Sequence, residues 1–335
     1  MQHGNPVGPS QLRADARRAV EDAVWAPSVH NTQPWRFTLE GNRISLSADT
    51  DRRLDVADPD GREMLIGCGA ALYSLRCALR ALGYEPAVRP LPDPDRPFLL
   101  ADVVMEPGEP PGQEDLREHA QIRRRRTHRG GFRAEPVPEG VLEAMRQDAE
   151  REGARLVEAV DEHVKGALAA LTEAAQHVQR RSPAYATEIA RWAPSPRTAR
   201  ADGVQEHAYP RRTPKTTPHF PARDFARGHG WGAPEAHDGE AASAGVTLLL
   251  VTAGDTAADW LRAGQALQRV LLRAAERDLA AAFHTQALEV PELRHFITDR
   301  FCGGGHPQML MRLGHPEGEE LESVRRPVGE VFGES

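Results

Sequence analysis

The chain has 335 residues, enough for one large or two medium domains with a real core. Hydrophobic residues make up 40% and charged residues 27%, and the net charge of −7 argues against general attraction to nucleic acid or an anionic membrane. No run approaches the ~18 apolar residues that span a bilayer, and Met1 to Asp15 contain no apolar signal core.

Leu12 to Trp25 read as a helix. A polar loop follows, and then two strands, Arg36–Glu40 and Arg43–Ala48, flank Gly41-Asn42 as a two-residue hairpin turn. From Arg62 to Leu82, apolar residues recur at Leu65, Cys68, Leu72, Leu75, Leu79 and Leu82, the three- and four-residue spacing of an amphipathic helix, which Gly83 ends. Ala87–Pro90 and Phe98–Met105 read as strands, and the Pro/Gly-rich segment 106–112 reads as a linker. Beyond it come a polar helix from Glu114 to Arg123, a helix over Val141–Glu152, a strand over Arg155–Val160, and a helix capped by Asp161 that runs to about Arg180. Residues 194–240 show almost no periodicity, which suits a lid, a binding loop or a disordered segment. Gly245–Thr252 reads as a buried strand, Trp260–Leu279 as a second amphipathic helix, Gln308–Leu313 as the last strand, and 314–335 as a polar, extended tail.

The two amphipathic helices match weakly. Gly69, Ala71, Leu72, Leu75 and Ala87 align with Gly264, Ala266, Leu267, Val270 and Ala282 at a constant offset of 195 residues. Two Ala/Leu helices match by chance often enough that this alone proves nothing, but it fits a chain built from two related halves.

Three segments carry chemistry. Ala26-Pro27-Ser28-Val29-His30-Asn31-Thr32-Gln33-Pro34-Trp35 packs hydroxyl, amide and imidazole groups between two prolines and closes on a Trp. Residue types alone leave an ordinary turn and a ligand-binding loop equally open. Arg123-Arg124-Arg125-Arg126-Thr127-His128-Arg129 is either a solvated basic face or a phosphate site, in which guanidinium forks grip oxygens and a hydroxyl adds a donor. Arg325-Arg326-Pro327-Val328 is a dibasic turn in the tail. The histidines show no H-E-x-x-H pattern and no Cys partners, so no metal site is expected. Gly303-Gly304-Gly305 lacks the G-K-[ST] that would make a P-loop. Cys68, Cys77 and Cys302 form no C-x-x-C pair, which fits a reducing cytoplasm.

Together the three segments resemble the flavin-dependent nitroreductases. The first resembles their A-P-S-x-x-N-x-Q-P-W loop. The second, Arg125 to Phe132, resembles their R-R-S-x-R-x-F phosphate motif, with Thr127 for Ser and one extra residue before Phe132. The third resembles their basic-basic-Pro-apolar ending. In that family the loop and the arginine motif come largely from different subunits of a homodimer. Here they lie in different halves of one chain, as in the single-chain Acg subfamily with its long lid.

The resemblance implies an α+β nitroreductase-like fold with an N-terminal half at 1–105, the linker at 106–112, and a C-terminal half at 113–335 carrying a lid at about 185–240. It implies one FMN at the junction of a monomeric pseudo-dimer or weak homodimer. Pro27, Ser28, Val29, His30, Asn31 and Gln33 would lie along the ring and ribityl chain, and Arg125, Thr127, Arg129 and Arg325 or Arg326 would hold the phosphate. His284, Thr285 and Gln286, after the second central helix, would sit near the ring edge; an ordinary helix-to-strand turn is the alternative. The implied activity passes hydride from NAD(P)H through FMN to a nitro-compound or quinone. The alternatives are a non-catalytic flavin store closed by the lid and a basic-patch binding module without chromophore.

Overall fold

A computed structural model describes residues 8–194, 198–208, 215–223, 242–318 and 323–334, with the backbone alone at 212–213 and 233–234. The architecture is α+β, with two antiparallel-based sheets flanking a pair of central helices.

The first sheet contains β1 (Trp35–Glu40), β2 (Arg43–Ala48), β3 (Tyr84–Pro90) and β4 (Leu99–Pro107). In β1 burial alternates strictly: Trp35, Phe37 and Leu39 face inward while Arg36, Thr38 and Glu40 face solvent, the pattern of a sheet wet on one side. Glu40 pairs with Arg43 across the expected two-residue turn. Helices α1 (Pro9–Ala23) and α2 (Arg62–Ala81) pack together, and their apolar faces share one core cluster with the inward side chains of this sheet.

Helices α3 (Gln113–Gln121), α4 (Glu139–Arg151), α5 (Glu162–Arg180) and α6 (Pro183–Arg191) precede the second sheet's centre. Asp161 caps α5 as expected, accepting from the amides of His163 at 2.7 Å and Val164 at 3.3 Å. The second sheet contains β5 (Arg155–Glu158), β6 (Val246–Thr252), β7 (Ala280–Phe283) and β8 (His306–Gly314), in the order β7-β8-β6-β5. It is covered on both faces. Leu248, Leu250, Met309 and Met311 pack with residues of α4 and of α7 (Ala257–Glu276), whereas Leu249, Val251 and Leu310 pack with α5, α8 (Pro291–Phe301) and Phe220. Two-sided burial explains why β6 reads as a continuous apolar run instead of an alternating one.

Helices α2 and α7 make the most extensive contact in the chain. They cross where Gly69 faces Gly264, the pair related by the 195-residue offset. A Cβ at Gly69 would lie 2.2 Å from the Leu261 carbonyl oxygen, and one at Gly264 would lie 2.0 Å from that of Ile66. Backbone meets backbone here, and no side chain fits. Beside the crossing, Gln268 Nε2 donates to Ser74 Oγ at 2.9 Å, and both residues are buried. By length and composition α2 could cross a membrane, contrary to the sequence expectation, but most of its apolar window is buried in this core.

Other elements depart from the sequence reading. β4 continues to Pro107, which pairs with Tyr84 inside the expected linker. The tail is not merely extended. After a helical turn at Val328–Val331, β9 (Phe332–Glu334) adds to the edge of the first sheet, parallel to β1, with Phe332 opposite Phe37. The last residues of the chain thus complete the sheet of the first half. The expected lid begins within α6, and its residues 195–197, 209–211, 214, 224–232 and 235–240 lie outside the described residues. All three cysteines are buried free thiols, and burial pushes the Cys302 thiol up to about 11.

The crossing makes a sharp prediction. Gly264→Ala should cost about 3 kcal/mol or more in denaturant unfolding, because overpacking against backbone cannot relax through a rotamer. Gly166→Ala in α5, where nothing lies within 4 Å of the new Cβ, should be neutral or stabilising by roughly 0.5–1 kcal/mol.

Candidate functional site

A cavity at the junction of the two halves encloses about 1120 Å³ of empty space, including its open mouth. Ile66 and Gly67 of α2, Leu267 of α7, Ala282 and Phe283 of β7, and the Pro27–Asn31 loop all contribute to its wall.

The loop is held in an uncommon backbone conformation. His30, Asn31 and Gln33 have φ of 49°, 53° and 51°, in the left-handed region where side chains other than Asn and Asp are rare. Ser28 Oγ accepts the Gln33 amide at 2.9 Å, and Asn31 N–H closes the turn on the Ser28 carbonyl at 3.0 Å. Asn31 Nδ2 donates to the carbonyls of Gly203 at 3.0 Å and Val324 at 3.1 Å. Gln33 Nε2 donates to the Ala201 carbonyl at 2.8 Å, and Gln33 Oε1 accepts the Arg326 amide at 2.8 Å. Asn31 therefore lines the cavity while stitching the loop to the lid and tail. Gln33 is fully buried outside the cavity wall, with its amide used as a structural clamp.

The basic segment reaches the same cavity. Thr127 forms an isolated parallel bridge to Ala281 of β7, and the His128 amide donates to the Ala281 carbonyl at 2.9 Å, so the segment is pinned beside β7. Thr127, His128, Arg129 and Arg325 line the cavity; Arg125 lines the adjoining groove. Arg125 is only 4% exposed, with contacts to the Trp25 carbonyl at 3.3 Å and Thr127 Oγ1 at 3.4 Å. Arg325 donates to Asn31 Oδ1 at 3.2 Å and to the Trp25 and Ala26 carbonyls. Neither has a carboxylate partner among the described residues, and Nε of each is buried without a hydrogen bond there. Burial, and then the mutual repulsion of the arginines, pushes Arg125 down to about 9 and Arg325 well below its ordinary range. Arg326 points elsewhere, to Glu330 at 3.2 Å and the Gln33 carbonyl at 3.4 Å. Of the tail's two arginines, Arg325 is the one at the cavity.

His284 and Thr285 line the cavity, whereas Gln286 is fully buried behind it. Arg312 of β8 donates through Nε to His284 Nε2 at 2.8 Å, so the imidazole proton resides on Nδ1. Burial and the Arg312 charge keep His284 neutral, well below its ordinary pKa. Arg312 lies 5.3 Å from the Phe132 ring and 5.5 Å from the Phe220 ring, a cation held between aromatic faces.

The lid closes another part of the wall. Val204, Phe220, Ala222 and Arg223 line the cavity, and Arg129 Nη1 donates to the lid carbonyl of Ala208 at 2.8 Å. Arg223 inserts among buried groups. It donates to His30 Nε2 at 3.2 Å, Tyr185 Oη at 3.0 Å, Thr285 Oγ1 at 3.1 Å and Glu289 Oε2 at 3.0 Å, and it also pairs with Glu289 Oε1. Burial and the Arg223 charge hold His30 neutral, well below its ordinary pKa. Glu63, from the first turn of α2, completes this part of the wall.

Arg223, Glu289, Glu63 and Arg312 were not among the expected site residues. No motif marks any of the four in the sequence, and the tertiary fold brings them together.

The arginine cluster has the donor set of a site for a compact anion. Phosphate added at constant ionic strength should raise the thermal midpoint of the ligand-free protein, by the equivalent of about 2.7 kcal/mol at a hundred times Kd. Arg325→Met should abolish the effect, and chloride should not reproduce it.

No protein-family profile matches the chain. It is 36% identical over 302 residues to the Mycobacterium tuberculosis protein named "Putative NAD(P)H nitroreductase Rv3131", covering 89% of this chain and 84% of that one. It is 30% identical over 321 residues to "Putative NAD(P)H nitroreductase acg" of the same organism, covering 94% of each. Among solved structures, a nitroreductase with bound FMN from Bacteroides fragilis matches with a TM-score of 0.38 and 13% identity over 63% of this chain and 95% of that one. One with bound FMN from Desulfitobacterium hafniense matches at 0.39 and 15%, over 63% and 94%.

Proposed function

Taking as premise that the chain belongs to the Acg-type nitroreductase-like family, we propose that it binds one FMN in the cavity between its halves and acts as an NAD(P)H-dependent oxidoreductase. The observation that carries this reading is the pair of buried Arg125 and half-buried Arg325, each with a buried Nε that makes no hydrogen bond and neither with a carboxylate partner among the described residues. Uncompensated buried charge costs several kcal/mol, and a phosphate group is the complement these guanidiniums fit. Arg125, Arg129 and Arg325 would hold it, with the Thr127 hydroxyl as a further donor. Pro27 to Asn31 would lie along the rest of the molecule, and His284 and Thr285 would lie near a ring edge. When bound, FMN supplies the hydride chemistry, while the protein supplies position and charge. Arg312, a second buried cation at the wall, would offset the negative charge that reduction places on a flavin. The acceptor class is a planar, electron-poor nitro-compound or quinone.

One observation favours a second reading, a flavin store without turnover. Arg223 ties the lid to Glu289, whose side chain is 1% exposed, and also to Tyr185 and to His30 and Thr285 of the cavity wall. A lid so anchored would exclude both nicotinamide and acceptor.

The purified protein should be yellow, or become so with added FMN, and should bleach when NADH or NADPH is added without oxygen. A protein that takes up no FMN overturns both readings. One that bleaches with dithionite but not with either nicotinamide supports storage. Under the storage reading, Arg223→Ala should speed bleaching at least tenfold by freeing the lid.

A further inference from the structure

Beside the lid anchor, three carboxylates and two guanidiniums meet out of solvent: Asp58, Glu63 and Glu289 against Arg62 and Arg223. Tyr185 of α6 and His30 of the loop face the same cluster, both through Arg223, and Gln308 of β8 faces it through Arg62, whose Nη1 donates to the Gln308 carbonyl at 2.7 Å. His30 is neutral and Tyr185 is pushed up to about 12, so neither adds charge near neutral pH. Among the described residues the cluster holds one more carboxylate than guanidinium, and in a low-dielectric site the least costly remedy is to retain a proton.

Hydrogen bonding decides which carboxylate keeps it. Asp58 accepts the backbone amides of Glu63 at 3.0 Å and Met64 at 2.9 Å. Glu289 accepts from Arg223, from Gln179 at 2.7 Å and from Thr285 at 3.0 Å. Bonds of this kind favour the ionised form. Glu63 has only Arg62, at 2.9 Å to Oε1; its second oxygen makes no hydrogen bond among the described residues, and its side chain lines the cavity. Burial first, and then the charge of Glu289, push Glu63 up to about 8. Burial also raises Asp58, but the Arg62 charge and the two amides pull it back.

We propose that Glu63 is the proton donor of this cavity, handing its carboxyl proton to the oxygen of the acceptor that takes up hydride there. The inference rests on the oxidoreductase reading above. In the step, the Glu63 O–H bond breaks and a new O–H bond forms on a quinone carbonyl or nitro oxygen. The electron pair arrives as hydride from reduced FMN, which is oxidised; the reductant that recharges it is NAD(P)H. The carboxylate left behind faces Arg62, and water returns its proton. An acid at the cavity wall would neutralise the charge that hydride alone would leave on the product.

The experiment compares wild type, Glu63→Gln and Glu63→Asp. Thermal unfolding of the flavin-free proteins is followed from about pH 4 to about pH 9.5, a window spanning the ordinary and raised carboxyl pKa values. A folded-state pKa above the ordinary 4.5 means that the burial of Glu63 is tolerated at low pH and that stability falls as pH rises through about 8. Wild type should therefore lose several degrees across that window relative to Glu63→Gln. Parallel curves would overturn the retained proton whether or not the protein binds FMN. In stopped flow, the reduced FMN-loaded Glu63→Gln should be reoxidised by a quinone about a hundredfold more slowly than wild type, within the range of general-acid contributions, and should lose the solvent deuterium effect. Its reduction by NAD(P)H should change less than twofold. Glu63→Asp, which keeps an acid at shorter reach, should recover part of the rate and also serves if the Gln variant does not fold. Equal reoxidation rates would overturn the donor role and leave the oxidoreductase reading standing. Failure of the wild type to bind FMN would instead remove that reading.

Discussion

The structure depends on one steric constraint: at the crossing of α2 and α7 two backbones touch with no side chain between them. Gly69 and Gly264 supply the missing atoms on each side, and a Cβ at either would fall within 2.2 Å of a carbonyl oxygen of the opposite helix. The cavity is built from what this contact brings together. Glu63, Ile66 and Gly67 come from one helix and Leu267 from the other, and each half contributes a binding segment that reaches the same volume. The 195-residue offset between the two glycines places them at equivalent points of the weak repeat, as a pseudo-twofold contact between related halves requires. The tail strengthens the union, since β9 of the second half completes the sheet of the first.

Electrostatics and strain then specialise this junction. Among the described residues, an arginine cluster exceeds its carboxylate partners at one place and a carboxylate cluster exceeds its guanidiniums at another; the charges that act most on Glu63 are those of Glu289, Arg62, Asp58 and Arg223. Burying either imbalance is unfavourable in isolation, and the proposed occupants, an anion at the first and a proton at the second, would relieve each. The loop between them carries three residues in the left-handed region, at roughly 1–3 kcal/mol each, held by Ser28 beneath and by the lid and tail above.

Much of this was legible in the sequence, and the exceptions have physical causes. Periodicity located the long helices because each buries one face, and β6 because it buries two. It missed α8, whose apolar positions form only a weak stripe, and β9, a three-residue strand that exists only because β1 offers it an edge. The Pro27–Asn31 loop, Thr127, Arg129 and Arg325 converge on one cavity although nearly 300 residues separate the first from the last. The choice between Arg325 and Arg326 could not be made from adjacent identical residues; the backbone turns them apart, one to the cavity and one to Glu330. Gln33 was expected near a ligand because amides suit ligands, yet amides suit crossing backbones equally well, and here the clamp role took it. Glu63 looks in sequence like an ordinary acid in a helix's first turn, and nothing local reveals that another half of the chain covers it.

The lid and the expected ligand draw on overlapping groups. Asn31 donates to the lid carbonyl of Gly203, Arg129 to that of Ala208, and His30 and Thr285 take hydrogen bonds from Arg223. These are four of the residues that the sequence motifs assign to the cofactor. A molecule that needs them for its own bonds must loosen the lid to enter, so its binding energy and the lid's closure oppose each other. A molecule that leaves them with the lid, and takes only the phosphate arginines and the apolar wall, is sealed beneath it. Which side chains a bound flavin claims, more than the presence of a lid, therefore decides between turnover and storage.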